Sequence, residues 1–264
     1  MQPKPNHLGP EYAAQFQDAA VVAAYPTRPP YPAEVFAILA ELITTEPRHA
    51  LDVGCGTGDV ARRLAPLVGR LDAVDISWRM IARGQTLPSG DSPNLRWIVG
   101  GVEEAPLEPP YALITAGESL HWMDWPVALP RLRAALAPGA YLALVSRAEE
   151  PTPWSDALLQ LIARYSTNRD YQPYDLTHEL AARGLFATVG ERQTAPAPFA
   201  QSVDAYIESI HSRNGFSRDR MSAADAAAFD AGVRELVAPH TRAGQLHLQI
   251  AASVIWGVPA PAIR

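Results

Sequence analysis

Between residues 32 and 146 the apolar positions follow two alternating periods. Val35, Leu39 and Leu42 recur at helical spacing behind Pro32, which predicts a helix over 32–42 with proline in its first turn. Ala50 to Val53 is a short apolar run that stops at Gly54, and Val60, Leu64 and Leu67 then mark a helix over 59–67. The alternation continues with predicted strands over 71–76, 95–99, 112–115 and 141–145 and helices over 78–85 and 126–136. Asp124 stands where it would cap the last of these helices, and Pro138-Gly139 closes it. Strands and helices in such alternation make an α/β protein with a parallel sheet covered by helices.

Beyond residue 146 the alternation loosens. Helices are predicted over 154–165, 176–183, 203–212 and 223–237, and strands over 187–194 and 245–254. The two last strands would close the sheet as an edge hairpin around a helical insertion. The chain thus divides into an N-terminal arm (1–32), a core (33–197), a helical insertion (198–244) and a closing strand (245–264), with the arm and the insertion as a lid. Proline clusters punctuate these segments, and no period of 20 to 50 residues suggests a repeat architecture.

The sharpest local signal is Leu51-Asp52-Val53-Gly54-Cys55-Gly56-Thr57-Gly58-Asp59, a strand running through alternate glycines into a helix. Glycine allows positive φ and lets a ligand approach the backbone, while the helix start offers unpaired N–H groups. The next strand ends in Asp75, where a carboxylate can accept the hydroxyls of a ribose. A loop and an acid so placed imply an adenosine-containing ligand. The spacing is G-x-G-x-G, which is neither the G-x-G-x-x-G of dinucleotide enzymes nor a phosphate loop ending in Gly-Lys-Ser/Thr.

Charge and cysteine content narrow the classes further. The 22 Lys and Arg against 28 Asp and Glu give a net charge of -6, which disfavours nucleic acid and anionic lipid as partners. No window is long and apolar enough for a membrane span, and the first residues lack the apolar stretch of a signal peptide. With Cys55 as the only cysteine, neither a disulfide within the chain nor a cysteine zinc cluster can form, so a soluble cytoplasmic protein without a metal is expected.

Residues 50–146 resemble the class I S-adenosylmethionine-dependent methyltransferases. Their first motif is close to LDVGCGTG, and in-order likenesses follow at Val99 to Pro106 (G-D-A-E-x-L-P), Tyr111 to Ile114 (F-D-L-V) and Leu136 to Ala140 (L-K-P-G-G). Ala24 to Pro32 and Ser119-Leu120-His121-Trp122 look like the small-molecule branch that contains trans-aconitate, quinone and natural-product methyltransferases. The resemblance implies a Rossmann-like, doubly wound, seven-stranded sheet in the order 3-2-1-4-5-7-6 with the last strand antiparallel. It implies S-adenosylmethionine as cofactor and a small-molecule acceptor, methylated on oxygen in preference to nitrogen or carbon, in a monomer or homodimer. Carried over, Gly54, Cys55, Gly56 and Gly58 would lie against the methionine moiety and Asp52 would order the loop and the amino group. Asp75 would hold the ribose, and Ile76 and Val102 would sandwich adenine. Where the branch has an Asp at the adenine amino group this chain has Gly101, leaving Glu103 or a backbone carbonyl to serve.

His121 follows the fourth strand, where the transferred methyl group should lie, and is the candidate acceptor-side base, with Trp122 beside it. Tyr25, Arg28 and Tyr31 on the arm and His211 in the insertion are candidate lid or substrate contacts. Cys55 is read as a small loop residue and not a nucleophile. An S-adenosylmethionine binder without methyl transfer, cyclase-like or regulatory, and a nicotinamide-dependent oxidoreductase remain as alternatives.

Overall fold

The computed structural model describes residues 4–172 and 174–261. In chain order its elements are α1 (Pro10–Ala13), α2 (Ala19–Ala24), α3 (Ala33–Glu41), β1 (His49–Val53), α4 (Ala61–Leu64), β2 (Arg70–Asp75), α5 (Trp78–Gln85), β3 (Leu95–Val99), β4 (Tyr111–Gly117), α6 (Trp125–Ala135) and β5 (Leu136–Glu149). There follow α7 (Ser155–Tyr165), α8 (Leu176–Ala182), β6 (Phe186–Gln193), β7 (Ala197–Ser202), α9 (Val203–His211), α10 (Ala223–Val237) and β8 (Gln245–Pro259). The strands are ordered β3-β2-β1-β4-β5-β8-β6, with β7 paired to β8. This is the expected order, with one strand more than the seven foreseen. β7 falls at the start of the segment read as a purely helical insertion. It forms because β8 is 15 residues long: its residues 253–259 pair antiparallel with β6, leaving 245–250 to pair antiparallel with β7.

The chain folds as two compact units, one built from the described residues of 31–147, 173–195 and 251–264, the other from those of 1–30, 148–172 and 196–250. The expected division is corrected in two places. Segment 148–172, assigned to the core, belongs to the second of these units because Trp154 and Leu158 are buried among Tyr206, Ile210, Phe229 and Val233 of α9 and α10. Tyr31, assigned to the arm, belongs to the sheet-bearing unit, where it is buried with Val35, Leu39 and Val60. Residues 1–3 of the expected arm and 262–264 of the expected closing segment lie outside the described residues.

In the sheet-bearing unit, β1 pairs in parallel with β2 (Ala50↔Leu71) and with β4 (Ala50↔Leu113). The chain leaves β1 toward β2 and β3 and returns to β4 on its other side, so a switch point opens between the carboxyl ends of β1 and β4. Strand periodicity sends alternate residues to opposite faces. Ala50, Leu71, Leu113 and Ala143 pack with Leu39 and Leu64 of α3 and α4, whereas Leu51, Val74, Ile114 and Leu142 pack with Leu129 of α6 and Leu180 of α8. Burial on both faces explains why these strands read as continuous apolar runs. Below the sheet's amino ends, Arg96 holds Asp72 through two bonds of 2.9 and 2.8 Å, and Tyr111 donates to the same carboxylate at 2.5 Å.

The other unit is held by the apolar faces of α7, α9 and α10 and by Leu246, Leu248 and Ile250 of β8. Ser202 and Ser222 cap α9 and α10, their hydroxyls accepting the N–H groups of Ala205 (3.1 Å) and Asp225 (3.0 Å). Asp124, expected to cap α6, occupies that position without a side-chain capping bond.

Candidate functional site

The glycine turn sits at the switch point. Gly54, Gly56 and Gly58 all have positive φ, at 61, 55 and 76°, a region that a side chain makes costly. At two of them a side chain is excluded by neighbours as well. A Cβ on Gly54 would stand 2.5 Å from Ser119 Cβ, and one on Gly58 would stand 2.4 Å from the Trp97 ring. Gly58 therefore serves the packing of β3 against the turn, and Trp97 is more than a sheet-edge aromatic. Ser119 Oγ donates to the Val53 carbonyl at 2.6 Å, tying the segment after β4 to the end of β1.

Asp75 is placed by the carboxyl end of β2 and bonded into the turn. Its two oxygens accept the N–H groups of Gly56 (2.8 Å) and Ser77 (2.7 Å). Burial nevertheless raises its pKa against those two bonds. Each carboxylate oxygen keeps a lone pair, so Asp75 can still accept ligand hydroxyls. Asp52 is 1% exposed and accepts the Thr115 hydroxyl at 2.8 Å and the Ala61 amide. Burial pushes its pKa up to about 7, with Asp75 and Asp59 adding to the rise. Asp52 thus ties β1 to β4 and to the start of α4. Burial also pushes the Cys55 thiol well up, which keeps it un-ionised and agrees with its reading as a small loop residue.

Toward β3, Ile76 is 49% exposed while Val102 is buried among Ile98 and Ala105. Glu103 folds back over Gly101: its Oε2 lies 2.8 Å from where a Cβ of residue 101 would stand, and its Oε1 accepts the Asp124 N–H at 2.8 Å. The carboxylate of Glu103 thus fills the space that a side chain at position 101 would take.

On the β4 side, His121 and Trp122 lie in a short 3₁₀ turn with ring centroids 4.6 Å apart. Trp125, 1% exposed, anchors that turn by donating from Nε1 to the Leu120 carbonyl at 2.8 Å. Tyr31 underlies the end of β4, its hydroxyl 3.1 Å from where a Cβ of Gly117 would stand, and the Arg147 guanidinium lies 4.4 Å from its ring. Arg147 also pairs with Asp59 at 2.6 Å.

Tyr25, Arg28 and His211 belong to the other unit. There the Arg28 guanidinium stacks 4.3 Å over Tyr25 and donates to Ser212 Oγ (2.8 Å) and its carbonyl (2.6 Å). His211 is 1% exposed, with Nδ1 2.8 Å from the Phe216 carbonyl and Nε2 2.7 Å from Asp230. Both ring nitrogens are engaged within the unit, which corrects the expectation of a substrate contact to a packing role. Sequence reasoning passed over Thr115, Ser119, Glu118 and Arg147. Thr115 and Ser119 carried a signal, as polar residues in an otherwise apolar strand and its exit; Glu118 and Arg147 read as ordinary surface charges.

Asp52, Asp59 and Asp75 border the turn, and Arg147 pairs with Asp59. Arg62 and Arg63 also act on Asp59, and Arg62 donates to the Thr57 carbonyl at 3.0 Å, so acids and guanidiniums stand together at the turn. The residues present fit S-adenosylmethionine, whose methionine end carries both an ammonium and a carboxylate and whose ribose hydroxyls can donate to Asp75. Among the described residues no group of His, Cys, Asp and Glu could hold a metal.

Residues 50–139 match the profile of a family described as methyltransferase domain. The chain is 35% identical over 104 residues to a malonyl-[acyl-carrier protein] O-methyltransferase of Halalkalibacterium halodurans, covering 37% of this chain and 38% of that protein. It is 33% identical over 112 residues to an uncharacterised methyltransferase of Mycobacterium tuberculosis, covering 42% of this chain and 56% of the relative. These matches span well under two thirds of either relative. Among solved structures, a candidate type II methyltransferase from Anaeromyxobacter dehalogenans superposes with a TM-score of 0.63 at 24% identity, covering 89% of this chain and 99% of that one. A methyltransferase from Geobacter sulfurreducens in complex with S-adenosylhomocysteine gives 0.52 at 14% identity, covering 95% and 98%. Residues 50–139 are thus similar to a methyltransferase domain, and the strand order and fold are those of the methyltransferase structures with which the chain superposes.

Proposed function

We propose that this chain transfers a methyl group from S-adenosylmethionine to an oxygen of a small-molecule acceptor by in-line displacement. The observation that carries the reading is the positive-φ glycine turn bordered by carboxylates at the β1/β4 switch point. The cofactor supplies an activated methyl group on a sulfonium. Gly54, Cys55, Gly56 and Gly58 present backbone to its methionine end, and Asp52 holds the turn in shape. Asp75 accepts ribose hydroxyls on the lone pairs its two N–H partners leave, and Ile76, Val102 and Glu103 adjoin adenine. His121 and Trp122 stand on the acceptor side. The work of the chain is alignment of the acceptor and exclusion of water, which together lower a barrier by several kcal/mol, about 7 or more in well-oriented cases.

The acceptor is a small molecule and not nucleic acid, in keeping with the acidic balance of the chain. Among the described residues no helix is long and apolar enough to cross a membrane. A reducing cytoplasm suits the single buried thiol, and we assign the chain there, as a monomer or homodimer. Likeness to the trans-aconitate and quinone branch rests on the Ala24 to Pro32 and Ser119 to Trp122 segments.

Calorimetric titration with S-adenosylmethionine, S-adenosylhomocysteine and NAD tests this reading. Micromolar binding of the first two and none of NAD is expected, with Asp75→Ala weakening S-adenosylhomocysteine at least 100-fold. Wild-type affinity in Asp75→Ala refutes the assignment of that residue. Binding without turnover on any acceptor would favour a cofactor-binding protein that transfers nothing.

A further inference from the structure

The turn that follows β3 leaves one side-chain oxygen uncommitted beside Ile76. The Gly100 N–H donates to the Asp75 carbonyl at 2.9 Å, and the Gly101 carbonyl accepts the N–H groups of Glu104 (3.1 Å) and Ala105 (2.8 Å). Both lone pairs of that carbonyl are taken, so Gly101 has no acceptor left for a ligand. Glu103 has one. Its Oε1 accepts the Asp124 N–H at 2.8 Å, whereas among the described residues Oε2 accepts no hydrogen bond. Oε2 and Ile76 Cγ2 lie 2.8 and 3.8 Å from one point, the place where a Cβ of residue 101 would stand. Ile76 is 49% exposed and directly follows Asp75. A ring laid on Ile76 therefore has Oε2 of Glu103 at its edge. Adenine is neutral, so the match is one of donor to acceptor and not of field: its exocyclic amino group is the donor it presents.

The other end of Glu103 reaches the acceptor side. Asp124 follows the 3₁₀ turn that carries His121 and Trp122, and it stands at the start of α6 without a capping bond from its own side chain. The third helical residue is Val127, so α6 lacks the glutamate that bonds the cap N–H in a capping box. Glu103 supplies that carboxylate from a different segment. Arg131 of α6 completes the link by donating to the carbonyls of Glu103 (3.2 Å) and Ala105.

We propose that Glu103 is a positioning residue with two ends: Oε2 accepts the amino group of the cofactor's adenine while Oε1 holds the Asp124 N–H, so that a bound cofactor orders the 120–124 turn on which His121 and Trp122 stand. This rests on the methyltransferase reading above and adds to it a coupling between the two halves of the site. Because Oε1 already fixes the carboxylate, little side-chain freedom is left for adenine to remove, and adenine in turn steadies Asp124; the coupling is reciprocal. Gly101 permits it, since a side chain there would push Oε2 away.

Two measurements on the whole chain test this. In calorimetry, S-inosylhomocysteine, which puts an oxygen where S-adenosylhomocysteine has the amino group, should bind wild type about 10- to 100-fold more weakly. Glu103→Gln is isosteric but has a single acceptor oxygen, so it can serve Asp124 or adenine and not both. With that oxygen on Asp124 its NH2 faces the base, and the preference for S-adenosylhomocysteine should disappear or reverse. In hydrogen exchange, saturating S-adenosylhomocysteine should slow the amides of residues 120–124 in wild type and not in Glu103→Gln. Glu104→Gln, the exposed neighbour, should behave as wild type in both. Equal affinity of wild type for the two ligands, a wild-type preference in Glu103→Gln, or the same slowing in both chains overturns the proposal. A wild-type chain that binds neither ligand refutes the underlying methyltransferase reading, and this proposal with it.

Discussion

Replacing Gly54 by alanine separates the two reasons for glycine in the turn. At φ 61° an alanine incurs the left-handed penalty of about 1–2 kcal/mol. Its Cβ would also stand 2.5 Å from Ser119 Cβ, with Ser119 Oγ at 3.0 Å and Met123 Cε at 3.3 Å, so the β4 exit must move. Overpacking of this kind costs about 1–3 kcal/mol more. Gly139 supplies the control, because its φ is 81° and nothing lies within 4 Å of a Cβ built there. Gly139→Ala should therefore lose about 1–2 kcal/mol and Gly54→Ala about 2–5 kcal/mol. The assay is thermal unfolding, following the transition that S-adenosylhomocysteine shifts; each kcal/mol moves Tm by about 2–4 °C in a unit of this size. Ser119→Gly removes the clashing Cβ but also the bond to the Val53 carbonyl, so it should cost less stability in the Gly54→Ala background than in the wild type. Equal losses in Gly54→Ala and Gly139→Ala, or an equal cost of Ser119→Gly in both backgrounds, would refute the close-contact argument.

Three further outcomes are expected. Asp52 holds a proton in the fold up to about pH 7 that the unfolded chain releases near pH 4, so stability falls as pH rises across that window, by about 3–5 kcal/mol in full. Asp52→Asn, uncharged throughout, should match the wild-type Tm near pH 5 and exceed it at pH 8; a pH dependence as steep as wild type would show that Asp52 is not its source. Cys55 should resist a thiol reagent such as dithionitrobenzoate in the native state at pH 8 and react once urea unfolds the chain, because burial keeps the thiol protonated. Stoichiometric labelling of the native protein within minutes would contradict this. His211→Phe should destabilise its unit by about 2–4 kcal/mol, since it strands the Phe216 carbonyl and a carboxylate oxygen of Asp230; unchanged urea midpoints would show that neither bond matters.

Much of the core was readable from local chemistry. The Ala50–Val53 run, the glycines after it, and the helical spacing of residues 78–85 and 223–237 each specify an element through turn geometry and periodicity, which need only near neighbours. The acid at the end of β2 was legible for the same reason: strand plus glycine turn fixes where residue 75 must fall. β7 was not legible. Ala197 to Ser202 holds two prolines' worth of flanking signal against a strand, at 196 and 198, and becomes one only because the first half of β8 offers it a partner.

Within the site, the glycine spacing and Asp75, from which the ligand class is proposed, are legible in the sequence alone. Tertiary structure decided which residues surround it. That Gly58 makes room for Trp97, that Glu103 fills the space over Gly101, and that Glu118 lies 3.7 Å from Arg147 are contacts between residues 2 to 39 apart in the chain. Such contacts depend on strand register and on backbone angles that no single residue type dictates, because charged side chains carry no period and a positive φ such as the 51° of Glu118 has no sequence signature. His211 shows the converse: its position in the chain suggested a ligand contact, and only the packing of α9 against α10 revealed that both of its nitrogens were already bonded.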